Sequence, residues 1–158
     1  MGITEDIIDN KMYLFTYGMN TSSHIMKRHN RCIPVGPAVL EGYHLVFQYH
    51  ASIESGGEMH GVLWEINDET LACIDVQEGY PEYYDRFEVP VLLGDSKYTA
   101  IVYQMNKERV SPPLHIMGAY PTPQYLAHIY DGYVEFNLPL TQILKALIAS
   151  PQPHPVKE

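Results

Sequence analysis

The most constraining feature of this sequence is a predicted helix that ends on an acidic side chain. Residues 75–80 are Asp-Val-Gln-Glu-Gly-Tyr, and Gly79 suits the left-handed conformation that commonly follows a helix. Glu78 does not suit this place, because peptide carbonyls leave partial negative charge at a helix C-terminus. That charge, or burial, raises the pKa of a carboxyl group toward neutrality, where it works as base and acid. Glu78 is therefore a candidate catalytic residue, and the alternative is a surface glutamate at a frayed helix end.

Segments rich in aromatic and β-branched residues lie on both sides of this helix and predict a sheet. We predict strands at residues 12–17, 43–49, 59–66, 84–92 and 97–105. Turn-rich connections are expected at residues 33–42 and 55–57, where proline and glycine cluster. The element mix predicts an α+β domain, in which helices pack against a strongly curved, mostly antiparallel sheet.

Four helices are expected to flank this sheet. The central helix runs from about residue 69 to 77, and Asn67 or Asp68 caps it. A short helix is expected from residues 21–23 to about 30, and another begins at Thr122 with proline next to it. The last helix follows residues 137–139. The side chains predicted to face the core are Leu71, Ala72 and Ile74 of the central helix and Ile143, Leu144, Leu147 and Ile148 of the last.

The composition describes one folded domain and argues against several functions. The length of 158 residues fits a single domain over residues 1–158, with an ordered core at about 11–150 between a loose lead-in and a mobile, proline-rich tail. The formal net charge of -9 argues against a nucleic-acid binder. Neither a secretory leader nor an apolar run of membrane-spanning length occurs, which predicts a cytoplasmic location.

The sequence contains no standard metal, phosphate-binding or nucleophile motif. The eight histidines form neither an HExxH pattern nor a two-histidine helical pair, and the two cysteines lack metal-type spacing. A GxSxG elbow and a glycine-rich loop with lysine are also missing. Cys32 is expected to be a structural thiol. Asp75 and Glu78 share one helix face. Two interpretations stay open: the two are an acid/base pair, or one is functional and the other is a solvated or capping neighbour.

A second unusual feature is the strand-to-helix turn at residues 17–20. Gly18 ends the first predicted strand, and the helix that follows leaves backbone N–H groups without intrahelical partners. These donors and the positive end of the helix favour a carboxylate or a polarised carbonyl oxygen. Such turns are common, so this one does not define a site by itself.

Four segments in this order resemble the γ-glutamylcyclotransferase family and its AIG2-like relatives. Residues 13–20, YLFTYGMN, resemble the opening strand and YGSN-type turn of that family. Residues 61–66, GVLWEI, resemble its GVVW-type strand, and residues 74–79, IDVQEG, its LDxxEG segment with the catalytic glutamate. PTPQY at 121–125 and NLPL at 137–140 are similar to the PSPQY…GLP pair of the animal-type enzymes. This last match points to γ-glutamyl amino acids or amines as substrates rather than to the glutathione-specific branch.

The resemblance implies a closed or nearly closed β-barrel with flanking helices, and it implies no metal and no cofactor. The protein is expected to be a monomer or a homodimer. The resemblance also implies that a γ-glutamyl group cyclises to 5-oxoproline and releases an amino acid or amine. Glu78 would be the general base and acid, and the 17–20 turn would supply oxyanion donors. The residues that would bind substrate are Phe15, Thr16, Tyr17, Gly18, Met19, Asn20, Tyr84, Tyr103 and Tyr125. The alternative for each tyrosine is a packed structural side chain.

Two departures from the family pattern bear on specificity. Met19 stands where serine is usual, and its bulk would narrow the pocket. The chain is also longer at residues 114–120, which bears on substrate choice more than on chemistry. A non-catalytic small-molecule binder on the same scaffold is the alternative function, because fold does not fix function. Retention of Glu78 favours the enzyme.

Overall fold

The computed structural model describes residues 11–29, 31–106 and 120–150, and these contain five strands and four α-helices. The strands are β1 (Met12–Thr16), β2 (Cys32–Gln48), β3 (His50–Ile66), β4 (Tyr84–Leu93) and β5 (Ser96–Met105). The helices are α1 (Ser23–Met26), α2 (Asp68–Glu78), α3 (Pro123–Glu135) and α4 (Leu140–Ala149), and a 3-10 turn at Met19–Thr21 precedes α1. The expectations for residues 1–10, for 107–119 (most of the 114–120 segment) and for the tail from Pro151 lie outside the described residues.

The strands close into a barrel in the order β1-β3-β2-β4-β5, which confirms the α+β fold with a curved, barrel-like sheet. Neighbouring strands are antiparallel except for β1 and β5, which pair in parallel where Leu14 lies opposite Ile101. Strands β2 and β3, each 17 residues long, form a hairpin that pairs from Cys32↔Ile66 to Gln48↔His50. Closure brings β1 against β5 and β2 against β4, so each of the five described strands has two neighbours in the sheet.

The two predicted connections inside this hairpin were wrong. Residues 33–42 belong to β2, and residues 55–57 belong to β3. The register shifts between Pro34 and Gly36 and again between Glu41 and Tyr43, so these segments are bulges within continuous strands. Gly42 has φ 91°, a conformation that bends the strand without leaving it. Bulges and turns use the same residue types, and for this reason the sequence pattern did not separate them.

The predicted helix positions were confirmed for α2 and α3, and their caps form as expected. Asn67 accepts a hydrogen bond from the Thr70 N–H at 2.8 Å, and Thr122 accepts one from the Tyr125 N–H at 3.2 Å. In contrast, α1 is only four residues long, and its N-cap Ser22 makes no side-chain capping bond. The short helix therefore ends well before residue 30.

The core lies inside the barrel and under the helices. Leu71 and Ile74 of α2 are buried as predicted, whereas Ala72 is exposed. In α4, Ile143 is buried and Leu147 is partly buried, but the prediction was wrong for Leu144 (56% exposed) and Ile148 (76% exposed). The buried face of α4 is narrower than the sequence periodicity indicated, because the helix contacts the barrel along one row that includes Ala146. The largest fully buried side chains are Trp64, Tyr133, Phe15, Leu14, Met26 and Leu40.

Candidate active site

A cavity of about 320 Å³ lies between the barrel and the C-terminal end of α2. The strands that contribute to its walls are β4, β5, the end of β1 and the start of β3. The other walls come from the 17–20 turn, the end of α2 and the first turn of α3. The cavity brings together all ten residues that the sequence analysis placed in the site. They are Glu78, Phe15, Thr16, Tyr17, Gly18, Met19, Asn20, Tyr84, Tyr103 and Tyr125.

Glu78 is the last residue of α2, at the position that the sequence indicated. Gly79 follows with φ 66° and ψ 38°, and the Tyr80 N–H donates to the Asp75 carbonyl at 2.9 Å, which closes the helix end. Glu78 is partly buried, and burial raises its pKa from 4.5 to about 7. Within the described residues, no cationic side chain forms an ion pair with Glu78. The carboxyl group is therefore poised to gain and lose a proton near neutrality.

Asp75, one turn earlier, has a different environment. Its carboxylate accepts hydrogen bonds from Arg86 at 2.8 and 3.1 Å and from the Tyr103 hydroxyl at 2.6 Å. It does not line the cavity. Of the two interpretations of the Asp75 and Glu78 pair, the structure favours one cavity carboxyl group beside one carboxylate held by partners.

The 17–20 turn is fixed from several directions. The Tyr133 hydroxyl of α3 donates to the Tyr17 carbonyl at 2.8 Å, and the Thr21 hydroxyl donates to the Gly18 carbonyl at 2.7 Å. The Gln77 amide donates to the Asn20 side-chain oxygen at 3.1 Å, which directs the Asn20 NH2 group away from Gln77. A turn held in this way is preorganised, as an electrostatic donor site requires.

The cavity tyrosines differ in the hydrogen bonds that their hydroxyls make. Tyr17 donates to the Tyr103 carbonyl at 2.6 Å, Tyr84 to the Ala51 carbonyl at 2.6 Å, and Tyr103 to Asp75. The Tyr125 hydroxyl instead accepts from the Ala51 N–H at 2.9 Å, so its own proton is available to a ligand. Burial raises the pKa of all four tyrosines, which keeps them neutral.

Sequence reasoning missed four residues that also line the cavity: His50, Ala51, Gln77 and Tyr83. The His50 Nδ1 lies 2.8 Å from the Tyr83 hydroxyl, and the His50 ring contacts Tyr125 edge-on with 5.1 Å between centroids. Burial lowers the pKa of His50, so the ring is neutral at neutral pH. Gln77 could have been found from its place beside Glu78. His50 carries no such signal, since it comes to the cavity only through the tight turn at Tyr49, which has φ 71°.

Other kinds of site find less support in the described part of the chain. No group of three or more His, Cys, Asp and Glu side chains there is arranged to hold a metal ion. Burial raises the pKa of the Cys32 thiol to about 12, which disfavours the thiolate and agrees with a structural role. Among the described helices, none combines the length and apolar character needed to cross a membrane.

The family model for gamma-glutamyl cyclotransferase, AIG2-like proteins matches residues 14–121. This range includes the 17–20 turn, Glu78 and all five strands except the first two residues of β1. The chain belongs to the gamma-glutamyl cyclotransferase, AIG2-like family. The resemblance seen in the sequence is thus confirmed over more than half of the chain. Membership and fold support a gamma-glutamyl cyclotransferase-like activity on a small-molecule substrate.

Several solved structures are similar to this chain over most of its length. A structure described as a gamma-glutamyl cyclotransferase is 26% identical, with a TM-score of 0.72, and the match covers 94% of this chain and 92% of that one. A human protein described as uncharacterised is 27% identical, with a TM-score of 0.72 and coverage of 95% and 93%. A yeast gamma-glutamyl cyclotransferase specific to glutathione is 12% identical, with a TM-score of 0.53 and coverage of 88% and 98%, and shows the fold alone. No curated protein sequence matches the chain closely enough to count as a relative.

The raised pKa of Glu78 predicts a pH-dependent stability in this family member. The folded state binds the Glu78 proton more tightly than the unfolded state, so this contribution to stability is complete below pH 4.5 and is lost as the pH rises through 7. We expect Glu78→Gln to be more stable than wild type by about 3 kcal/mol at pH 9 and nearly equal at pH 4. Urea unfolding at both pH values measures the difference. An equal difference at the two pH values would contradict the assignment.

Proposed function

We propose that the chain is a γ-glutamylcyclotransferase that converts a γ-glutamyl amino acid or amine to 5-oxoproline and the free amino acid or amine. The observation that carries this proposal is the position of Glu78, a cavity carboxyl group with a pKa of about 7. The reaction needs one group that takes a proton from an ammonium and later returns it to a leaving nitrogen. Glu78 has the protonation behaviour for both steps.

The proposed reaction is an intramolecular acyl transfer of the lyase type. Ionised Glu78 accepts a proton from the substrate α-ammonium, and the neutral amine then attacks the γ-carbonyl carbon of the same glutamyl group. A new C–N bond closes the five-membered ring while the carbonyl oxygen takes up negative charge. When the original C–N bond breaks, protonated Glu78 gives its proton to the leaving nitrogen, which regenerates the carboxylate. The ring nitrogen loses its second proton to the released amine, so the products are 5-oxoproline with a neutral amide nitrogen and an ammonium ion.

Two further features of the cavity support this chemistry. The backbone N–H groups of the fixed 17–20 turn are our proposed donors to the developing oxyanion, together with the NH2 group of Asn20. The reaction is unimolecular, so a cavity that holds the substrate folded supplies much of the rate increase. A volume of about 320 Å³ falls at the lower end of the range for small-ligand pockets, which suits a dipeptide-sized molecule.

We assign the remaining lining residues to substrate binding. Tyr125 offers a hydroxyl proton to a substrate oxygen, while Tyr84 and Tyr103 present rings whose hydroxyls are already engaged. Phe15 and Thr16 form the wall beside the turn, and Met19 lines the cavity within the turn that carries the proposed oxyanion donors. The predicted cytoplasmic location, the single domain and the monomer or homodimer stand as proposals beside this function.

The test is release of 5-oxoproline by the purified full chain from γ-glutamyl dipeptides, γ-glutamyl amines and glutathione. We expect turnover with dipeptides or amines, and a kcat/KM that falls tenfold per pH unit well below pH 7, because protonated Glu78 cannot accept a proton. Absence of 5-oxoproline from every substrate, with a folded protein, would overturn the proposal. In that case a bound metabolite found by mass spectrometry would favour the small-molecule binder.

A further inference from the structure

Asp75 and Arg86 lie behind the cavity and have no part in the proposed reaction. Together with the hydroxyl of the cavity residue Tyr103 they form a cluster of three side chains. Arg86 of β4 binds the Asp75 carboxylate with two parallel hydrogen bonds, Nε to Oδ1 at 2.8 Å and Nη2 to Oδ2 at 3.1 Å. The Tyr103 hydroxyl of β5 donates to the same Oδ1 at 2.6 Å. The Arg86 guanidinium also lies over the Tyr80 ring, 4.3 Å from its centroid. Paired bonds from a planar guanidinium fix both partners in direction as well as in distance.

The cluster joins the end of α2 to the barrel. Asp75 is one turn before Glu78, and its carbonyl accepts the Tyr80 N–H that closes the helix. Tyr103, in turn, accepts the Tyr17 hydroxyl at its carbonyl oxygen, 2.6 Å away. The Asp75 side chain is therefore tied to β4, β5 and the turn that carries the proposed oxyanion donors.

The same cluster compensates a charge close to Glu78. On one helix face, the Cβ atoms of residues three apart lie about 5–6 Å from each other, and like charges at this spacing repel. The Asp75 and Arg86 side chains are 19% and 27% exposed, so water screens this repulsion only in part. Arg86 supplies the opposite charge. The other titratable groups near Glu78 are neutral at pH 7: Tyr17, Tyr83, Tyr84, Tyr103, Tyr125 and His50.

We propose that Arg86 is a positioning residue that acts through Asp75, fixing the C-terminal turn of α2 so that Glu78 meets the substrate and neutralising the charge beside it. The inference rests on the proposed function of Glu78. The positioning of Glu78 and the neutralisation of the Asp75 charge can be tested separately, because lysine keeps the charge of arginine but cannot form the paired hydrogen bonds.

The experiment compares wild type with Arg86→Lys and Arg86→Gln, and uses Lys11→Gln as the control, since it breaks the remote Lys11–Glu65 ion pair. We expect Arg86→Lys to lower kcat about tenfold or more through misplacement of Glu78 while the acidic limb of the pH profile stays in place. Arg86→Gln should lower kcat and should also shift the acidic limb of the profile to a pH about one unit higher. The reason is that the Asp75 carboxylate is left without its cation and disfavours ionisation of Glu78. Lys11→Gln should change neither.

A second readout does not depend on activity. The side-chain carboxyl carbon of Glu78 in 13C-labelled protein reports its titration directly by NMR, and Arg86→Gln should raise its midpoint while Arg86→Lys should not. Folded variants with the kcat and pH profile of wild type would overturn the inference. If wild type releases no 5-oxoproline, the proposed function fails, and the NMR titration alone decides whether Arg86 controls the ionisation of Glu78.

Discussion

Glu78→Gln is expected to lower kcat by about 10³-fold, because an amide neither accepts the ammonium proton nor returns one to the leaving nitrogen. Glutamine has nearly the same shape, so the helix end, the cavity and the hydrogen bonds of Asp75 should persist. Binding of substrate should change much less than turnover, since the loss falls on proton transfer. Steady-state kinetics of 5-oxoproline release measures the loss of turnover, and circular dichroism of both proteins checks that the variant is folded.

The matched control for this prediction is Glu69→Gln, the same substitution at an exposed position in the first turn of the same helix. It should leave kcat unchanged and lower stability by at most about 1 kcal/mol, because it removes a negative charge from the positive end of the helix dipole. A folded Glu78→Gln protein that keeps more than a tenth of the wild-type kcat would remove Glu78 from the proposed role.

The second large effect is expected from Gly132→Ala. Alanine in place of glycine normally stabilises a helix interior by about 1 kcal/mol. Gly132, however, faces the segment that follows the cavity turn, and a Cβ there would contact the Thr21 hydroxyl oxygen and lie 2.7 Å from the Ser22 nitrogen. Overpacking of this kind costs about 1–3 kcal/mol or more, so the clash outweighs the helix gain.

We therefore expect Gly132→Ala to lose about 2 kcal/mol of stability and to lose activity as well, since Thr21 holds the Gly18 carbonyl. Denaturant unfolding and 5-oxoproline kinetics test the two parts. Asp131→Ala, at the exposed neighbouring position of α3, should change stability by at most about 0.5 kcal/mol. A Gly132→Ala protein as stable as wild type would show that α3 can move away from the turn at no cost.

The parts of the site that could be predicted from sequence are those set by local rules. Asn67 and Gly79 fix the two ends of α2 through a cap and a left-handed residue, and so they place Glu78 at the helix terminus. Thr122 does the same for the helix that carries Tyr125. In each case the decisive contacts lie within a few residues along the chain.

The parts that could not be predicted depend on contacts between distant segments. His50 reaches Tyr83 across 33 positions, and Gln142 binds both backbone groups of His60 across 82. The long β2–β3 hairpin was missed because its glycines absorb curvature that only closure of the barrel demands. Burial of Glu78 is likewise a property of the assembled cavity. Sequence reasoning named burial beside the helix terminus as a cause of a raised pKa, but it could not establish that the Glu78 side chain is buried.

The parallel pairing of β1 with β5 has a consequence for how the active site comes into being during folding. The β2–β3 hairpin can form early, since its strands are adjacent along the chain and closing a short loop has a small entropic cost. The hydrogen bond from Tyr17 to Tyr103 joins residues 86 positions apart, so the ordering of that wall waits for the most distant parts of the barrel to meet. We therefore expect the cavity to be completed late in folding, because a chain with a complete hairpin but an open barrel lacks the wall that β1 and β5 form together.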